Sequence, residues 1–176
     1  MDKLLKFFIN EPEREFYVRE LAKILKKSPT TISKFLKRYE SKKILISKRK
    51  LNHLFFKADA NSKKFKQLKL NYNLSLINES GIIDFLEDFF NYPEAIVLFG
   101  SFAKAENNKN SDIDLLVISQ KKQEPSLEKF EKKLGYNIQL FIHSKEELNR
   151  LKKENKQLFN NWINGIVIYG YFEALK

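Results

Sequence analysis

Apolar residues in the first sixty positions recur at helical spacing in three short segments, and each segment predicts an amphipathic helix. The apolar positions are Leu4, Leu5, Phe8 and Ile9 in the first segment, Val18, Leu21, Ala22 and Leu25 in the second, and Ile32, Phe35, Leu36 and Tyr39 in the third. Ser28 is a favourable N-cap for the third helix, and Pro29 is a favourable first helical residue. The stretch that follows, ILISKRKLNHLFFKA, predicts two strands around a turn near Lys48, Arg49 and Lys50.

Beyond residue 60, the pattern predicts one helix without Pro or Gly and then helices alternating with strands. The predicted elements are helices over residues 61–80 and 81–90, a strand over 95–99, a strand that carries Asp112 and Asp114, a helix over 127–134, a strand over 136–142, a helix opened by a capping box of Ser144 and Glu147, a helix containing Leu158, Phe159, Trp162 and Ile163, and a strand over 166–169.

The composition limits the classes of protein to which the chain can belong. The chain has 176 residues, of which 43% are apolar, so it is long enough to bury a core and is typical of a globular protein of one or two domains. It contains no cysteine, which excludes disulfides, thiolate metal sites and cysteine nucleophiles. The first residues are too charged for a signal peptide and no apolar run approaches the length of a membrane span, so we expect a cytoplasmic protein without a membrane partner.

The net charge of +11 is concentrated in one half of the chain. Residues 1–80 contain 20 basic and 8 acidic side chains, a net charge of +12, whereas residues 81–176 contain 13 and 14, a net charge of −1. This asymmetry indicates a basic module that binds a polyanion, attached to a nearly neutral module. We therefore predict a basic domain over residues 1–60, a connecting helix over 61–80 and a second domain over 81–176.

Two acids interrupt an apolar run in the stretch AIVLFGSFAKAENNKNSDIDLLVIS, which spans residues 95–119. Asp112 and Asp114 are separated by one residue, so on a strand their side chains share one face, with Cα atoms roughly 6.6 Å apart. Carboxylates at the edge of a core require a hydrogen-bond partner, an ion pair or a cation, and two that share a face suit a hard cation such as Mg²⁺. The simpler interpretation is that these acids cap a loop or pair with Lys104 or Lys109.

A Gly-Ser pair ends the strand that precedes the acids. Gly100 lets the backbone approach a ligand closely, and Ser101 contributes a hydroxyl. A short helix behind them would direct its N-terminal amides at an anion such as a phosphate. With the two acids, this pair predicts a site for a metal ion and a nucleoside triphosphate rather than a general acid and base.

The pattern LFGS followed by SDIDLLV resembles the signature of the DNA polymerase beta-type nucleotidyltransferase superfamily, and above all its minimal nucleotidyltransferases. The resemblance covers the C-terminal half of the chain. It implies an α+β fold with a mixed sheet flanked by helices, and Asp112 and Asp114 as catalytic ligands of Mg²⁺ or Mn²⁺. It also implies that Gly100, Ser101 and Ser111 contact ATP or another nucleoside triphosphate.

The superfamily uses a third carboxylate on the strand after the two acids, and the corresponding catalytic position here is Gln139. An amide offers a neutral oxygen and no charge, so this departure weakens the site for the metal ion that activates the attacking hydroxyl. A shifted alignment would give that role to Glu131, Glu146 or Glu147.

The basic half resembles a winged helix–turn–helix, in which the third helix is the recognition helix and the hairpin is the wing. The resemblance implies that double-stranded DNA is contacted by hydrogen-bonding and cationic side chains of these elements, namely Thr30, Thr31, Ser33, Lys34, Lys37 and Arg38 on the helix and Lys48, Arg49 and Lys50 on the hairpin. RNA as the partner, and a dimerisation module with a solvated basic surface, are the alternative interpretations.

Two functions are consistent with these resemblances. The first is a DNA-binding enzyme that transfers a nucleoside monophosphate from a nucleoside triphosphate to a hydroxyl of a protein or nucleic acid, as minimal nucleotidyltransferases that adenylylate a toxin do. The second is a transcriptional regulator whose degenerate nucleotidyltransferase domain binds a nucleotide or a protein partner without catalysis. The sequence leaves a homodimer open in both cases.

Overall fold

The structure, a computed structural model, describes residues 3–50 and 52–173. These residues form two compact units, with the boundary between Tyr72 and Asn73. The boundary falls inside a long helix that covers most of the segment predicted to connect the two halves.

The first unit combines three helices with three strands and the beginning of the long helix. Its elements are α1 Lys3–Asn10, β1 Phe16–Tyr17, α2 Val18–Leu25, α3 Pro29–Ser41, β2 Leu45–Lys50, β3 His53–Ala58 and α4 Lys63–Ser80. The start of α3 is as predicted, because the Ser28 hydroxyl accepts a hydrogen bond from the Thr31 backbone N–H at 3.1 Å and Pro29 occupies the first turn.

The three strands form an antiparallel sheet in the order β1-β3-β2. The prediction of a turn near Lys48, Arg49 and Lys50 is wrong, because these residues belong to β2 and Lys50 pairs with His53. The strands are therefore connected after Lys50, and Asn52 has a positive φ of 60°, as residues of tight hairpin turns often do. The basic run led to a wrong prediction because polar residues indicate exposure to solvent and do not indicate where the backbone turns.

The core of the first unit lies on one face of this sheet. Phe16 and Phe56, which pair across β1 and β3, are fully buried and pack with the apolar faces of the helices. The side chains on the opposite face of the strands do not belong to this core.

The second unit is built around a mixed sheet in the order β6-β5-β4-β7. Its elements after α4 are α5 Ile82–Phe89, β4 Ala95–Phe99, α6 Gly100–Ala103, β5 Ile113–Ile118, α7 Glu128–Leu134, β6 Ile138–His143, α8 Lys145–Glu154, α9 Lys156–Ile163 and β7 Ile166–Gly170. Strands β5 and β6 are parallel, and β4 is antiparallel to both of its neighbours. The predicted α+β class with a mixed sheet flanked by helices is confirmed for this unit.

Helices cover both faces of this sheet, so the central strands carry apolar residues without alternation. All five residues of β4 are buried. One face packs on α5 and α7 through Leu86 and Phe130, and the other packs on α8 and α9 through Leu148 and Trp162. Ile163, predicted to face inward with Trp162, is 40% exposed.

No helix in the described ranges has the length and apolar character that crossing a membrane would require.

The predicted capping box at the start of α8 is present. The Ser144 hydroxyl accepts the Glu147 N–H, and the Glu147 carboxylate accepts the Ser144 N–H at 2.8 Å. Hydrogen bonding from the Lys122 ammonium, followed by the Ser144 N–H, lowers the pKa of Glu147 from 4.5 to about 2. The ionised Glu147 therefore stabilises the folded state at neutral pH.

We expect Glu147→Gln to lower the free energy of unfolding most above pH 4.5, because the native carboxylate is ionised and bonded there. The difference from the natural chain should shrink as the pH falls through the window from 4.5 to about 2, where the folded carboxylate becomes protonated. Urea unfolding at a series of pH values measures this difference, with exposed Glu124→Gln as control. A difference that is constant across the window would contradict the prediction.

Candidate functional site

The turn that follows β4 brings the backbone directly against a carboxylate. Gly100 has a φ of 66°, a conformation that favours glycine. A Cβ added at Gly100 would lie 2.0 Å from Asp114 Oδ2, which leaves no room for a side chain. Gly100 is therefore needed both for the backbone conformation and for the position of Asp114.

Strand β5 holds the second carboxylate of the pair. Asp114 lies on β5 between Phe99 of β4 and Gln139 of β6, so backbone pairing on both sides fixes its position. Asp112 was predicted on the same strand but lies one residue before it, since β5 begins at Ile113. The Ile113 N–H donates to the Asn137 carbonyl at 2.9 Å, so the backbone beside Asp112 still follows the sheet.

The two carboxylates have different surroundings. Asp112 accepts hydrogen bonds from Gln139 Nε2 at 2.7 Å and from Asn137 Nδ2 at 3.2 Å. The half-buried Asp114 carboxylate accepts none from the described residues. The hydrogen bonds that Asp112 accepts from the described residues come from side-chain amides rather than from Lys104 or Lys109, so they do not support the simpler interpretation based on those lysines.

The two negative charges interact. Burial raises the pKa of Asp114 above its ordinary value, and the neighbouring charge of Asp112 raises it further. A half-buried carboxylate beside a second one, without a hydrogen-bond donor of its own, is stabilised by a cation.

Gln139 lies beside both acids, as the parallel register of β5 and β6 requires. It pairs with Asp114 in the sheet and its amide donates to Asp112. The alternative third acids are bonded to other groups, although Glu131 lines the same cleft as Asp112. The Glu131 carboxylate accepts the Ile138 N–H at 2.9 Å, while Glu146 and Glu147 follow the far end of β6 and bind Gln120 and Lys122.

Ser101 and Ser111, which were predicted to contact the nucleotide, form hydrogen bonds within the loop between β4 and β5. The helix after Gly100, α6, is a single turn of four residues, so its macrodipole adds little to the attraction of an anion. The Ser101 carbonyl accepts the N–H groups of Glu106 and Asn107 at 2.9 and 3.2 Å. The Ser111 hydroxyl accepts the Asn108 N–H at 2.9 Å and thereby closes the loop before Asp112.

A buried amide pair that sequence reasoning missed anchors this turn. Asn73 Nδ2 donates to the Phe102 carbonyl at 2.9 Å and to Asn107 Oδ1 at 2.8 Å. Both asparagines are at most 2% exposed. Burying two amides is favourable only because they hydrogen-bond to one another and to a backbone carbonyl. Neither residue lies in a recognisable motif, so the sequence contains no signal for them.

A cleft of about 470 Å³ opens beside Asp112. Residues of the loop before β5, of α7 and of the connection between α7 and β6 line it, among them Asn110, Glu131, Tyr136 and Asn137, whereas Asp114 does not line it. The cleft gives the Asp112 carboxylate access to solvent and to a ligand of moderate size.

The residues fit one divalent cation. Two carboxylates and the neutral oxygen of Gln139 are the hard ligands that Mg²⁺ or Mn²⁺ prefers. A second ion would lack a third carboxylate, and no group of three or more His, Asp or Glu side chains suited to a metal ion occurs in the described part of the chain.

The predicted DNA-contacting residues of the first unit are largely at the surface. Thr30, Thr31, Lys34, Lys37 and Arg38 of α3 are exposed, and Ser33 is half-buried. The Thr31 hydroxyl is hydrogen-bonded to the Ser28 hydroxyl at 2.8 Å.

The three basic residues of β2 do not share one face, because side chains alternate along a strand. Lys48 and Lys50 lie on the face away from the core and Arg49 lies on the other. Lys50 also forms an ion pair with Glu15 at 2.6 Å.

Comparison with known proteins agrees with the geometry of the second unit. The family model "Polymerase beta, Nucleotidyltransferase" matches residues 80–173, which include the Gly-Ser turn, both aspartates and Gln139. The comparisons with curated proteins and with solved structures give no significant match. Because the family match covers more than half of the 176 residues, the chain belongs to the polymerase beta nucleotidyltransferase family.

Proposed function

We propose that the chain is a DNA-binding protein whose second unit transfers a nucleoside monophosphate from a nucleoside triphosphate to a hydroxyl of a protein or nucleic acid. The observation that carries the proposal is the pair Asp112 and Asp114 held against the Gly100 turn. In this reaction the acceptor oxygen forms a bond to the α-phosphorus, the bond to pyrophosphate breaks, and the hydroxyl proton leaves to solvent.

The chain's own residues would perform three tasks. Asp112 and Asp114 would hold one Mg²⁺ or Mn²⁺ ion. When bound, that ion neutralises the phosphate charge and supports departure of pyrophosphate. The amides that follow Gly100, with the Ser101 hydroxyl, would contact the phosphates of ATP or another nucleoside triphosphate. The amides of Gln139 and Asn137 orient Asp112 through their hydrogen bonds.

A second function is favoured by one specific observation, the amide at position 139. Gln139 donates a hydrogen bond to Asp112 where the superfamily pattern has a third acid. A domain with this substitution would keep nucleotide binding and lose catalytic rate. In that case the protein acts as a transcriptional regulator in which the second unit binds a nucleotide or a protein partner.

The first unit supports the DNA-binding half of the proposal. We propose that it is a winged helix–turn–helix, in which α2 and α3 form the helix–turn–helix and the hairpin of β2 and β3 forms the wing. Exposed cations and hydroxyls on α3 offer contacts to phosphates and to base edges of double-stranded DNA.

Asp112→Asn and Asp114→Asn should each reduce nucleotidyl transfer roughly 100-fold or more, the scale on which one electrostatic contact to a transition state matters. The assay incubates the chain with Mg²⁺, lysate and ATP labelled on the α-phosphate, with γ-labelled ATP as the control for phosphorylation. Asp88→Asn, an exposed aspartate of α5, is the matched variant and should leave transfer unchanged. Equal labelling by all four proteins would contradict the assignment of the acids.

Gln139→Glu should increase nucleotidyl transfer, because it supplies the missing carboxylate beside Asp112. Without a divalent cation it should lower the melting temperature, since a 2.7 Å hydrogen bond becomes a repulsion between two carboxylates. Gln139→Ala, which removes the amide without adding charge, is the control. Transfer by Gln139→Glu alone would establish the regulator function for the natural chain, whereas transfer that falls in Gln139→Glu would show that the amide does not limit catalysis.

Lys37→Ala and Arg38→Ala should each weaken duplex DNA binding and reduce the slope of log K against log salt concentration by about 1, because each removes one phosphate contact. Titrations of labelled duplex at several salt concentrations measure the slope. Lys153→Ala, an exposed lysine of α8, serves as the control. An unchanged slope in both α3 variants would exclude α3 as the DNA-contacting surface.

A further inference from the structure

The outer face of the first unit's sheet combines aromatic rings with lysines. We call it the outer sheet face and define it by Tyr17, Lys48, Lys50, His53, Phe55 and Lys57. Directly paired residues of adjacent strands share a face, and the register pairs Phe55 with Tyr17 on one side and with Lys48 on the other. The next pair along the hairpin is Lys50 with His53.

The three rings form one cluster outside the core. The centre of the Tyr17 ring lies 5.7 Å from that of Phe55 and 6.0 Å from that of His53. Tyr17 is 37% exposed, His53 is exposed, and none of the three packs with the buried cluster on the other face. Ile46, which pairs with Lys57 and is 43% exposed, lies on the same face. An exposed cluster of aromatic and apolar side chains among polar ones is typical of an interaction site.

Lysines surround these rings. Lys50 pairs with Glu15 at 2.6 Å and Lys57 with Glu13 at 3.2 Å, whereas Lys48 has no ion pair with any of the described residues. The hydrogen bond from Lys50, followed by the charges of Lys50, Lys48 and Lys57, lowers the pKa of Glu15. Exposed ion pairs of this kind contribute little free energy, so phosphates can replace the glutamates as partners of the lysines.

We propose that the outer sheet face binds single-stranded nucleic acid, with unpaired bases stacked on its rings and backbone phosphates at its lysines. Aromatic side chains interleaved with cations on a sheet are the arrangement that stacks bases without reading their sequence. The rings of Phe55 and His53 are inclined to that of Tyr17 by 59° and 49°, so each ring offers a separate plane.

The surroundings favour this ligand over a duplex and over a second copy of the chain. In a duplex the base faces are stacked on each other and cannot reach Tyr17. Two copies of the outer sheet face would bring Lys48, Lys50 and Lys57 against their counterparts, which is unfavourable. The net charge of +12 over residues 1–80 also favours a polyanion.

The test uses the full chain and four labelled probes, namely oligodeoxythymidine and oligouridine of about 10 nucleotides, an abasic oligomer of the same length and a duplex. Fluorescence anisotropy should show that the abasic oligomer binds about tenfold or more weakly than oligodeoxythymidine or oligouridine, because stacking is lost. The ratio of the two base-carrying probes then distinguishes DNA from RNA.

Tyr17→Ala and His53→Ala should each weaken single-strand binding about tenfold and leave duplex binding unchanged, while Tyr17→Phe keeps the natural affinity. These rings lie outside the core, so circular dichroism should show folded variants. Lys37→Ala should show the opposite pattern, with a loss for the duplex only, so failure of the proposed DNA-binding function and failure of this inference are distinguishable. Three results would each overturn the proposal. The first is equal affinity for the abasic oligomer, and the second is unchanged single-strand affinity in folded Tyr17→Ala and His53→Ala. The third is self-association that is lost in Tyr17→Ala without an effect on single-strand binding.

Discussion

The carboxylates of Asp112 and Asp114 lie close enough together that the charge of Asp112 adds to the rise in the pKa of Asp114. The surrounding residues hold both carboxylates in place. Backbone pairing of β5 on both sides fixes Asp114, and two side-chain amides fix Asp112. The lack of space at Gly100 follows from the same arrangement, because the Asp114 carboxylate occupies the volume that a Cβ would need. A bound cation would relieve this local repulsion.

The buried core of the second unit holds the elements that carry these two carboxylates. Helices on both faces of the sheet bury β4 completely, and the buried pair of Asn73 and Asn107 ties the turn after Gly100 to α4 through the Phe102 carbonyl. Gln139 reduces the repulsion between the two carboxylates, because its amide donates a hydrogen bond to Asp112 without adding charge. In the proposed function, the amide that makes the arrangement more stable without a metal ion would make it a poorer site for a second one, so stability and catalytic rate would be opposed at this position.

In the first unit, a single sheet separates two environments. Phe16 and Phe56 face the core, while the neighbouring residues Tyr17 and Phe55 face away from it because side chains alternate along a strand. The first unit therefore presents two chemically different surfaces. The exposed side of α3 offers cations and hydroxyls, and the outer sheet face offers aromatic rings among lysines.

The sequence alone determined the main helices and strands, the end of β4 at a Gly-Ser turn, the α8 capping box and the family of the second unit, because each depends on periodicity or on residues close together in the chain. It did not predict the two-residue strand β1. It placed the hairpin turn wrongly. Lys48, Arg49 and Lys50 are as polar as turn residues, and only the pairing of the backbone shows that they belong to β2. Only the tertiary structure decided that Gln139 bonds Asp112, that Glu146 and Glu147 lie at the other end of β6, and that two asparagines anchor the turn. Those relations depend on strand register and on contacts between distant segments, and register is set by how the buried faces fit together rather than by any local pattern.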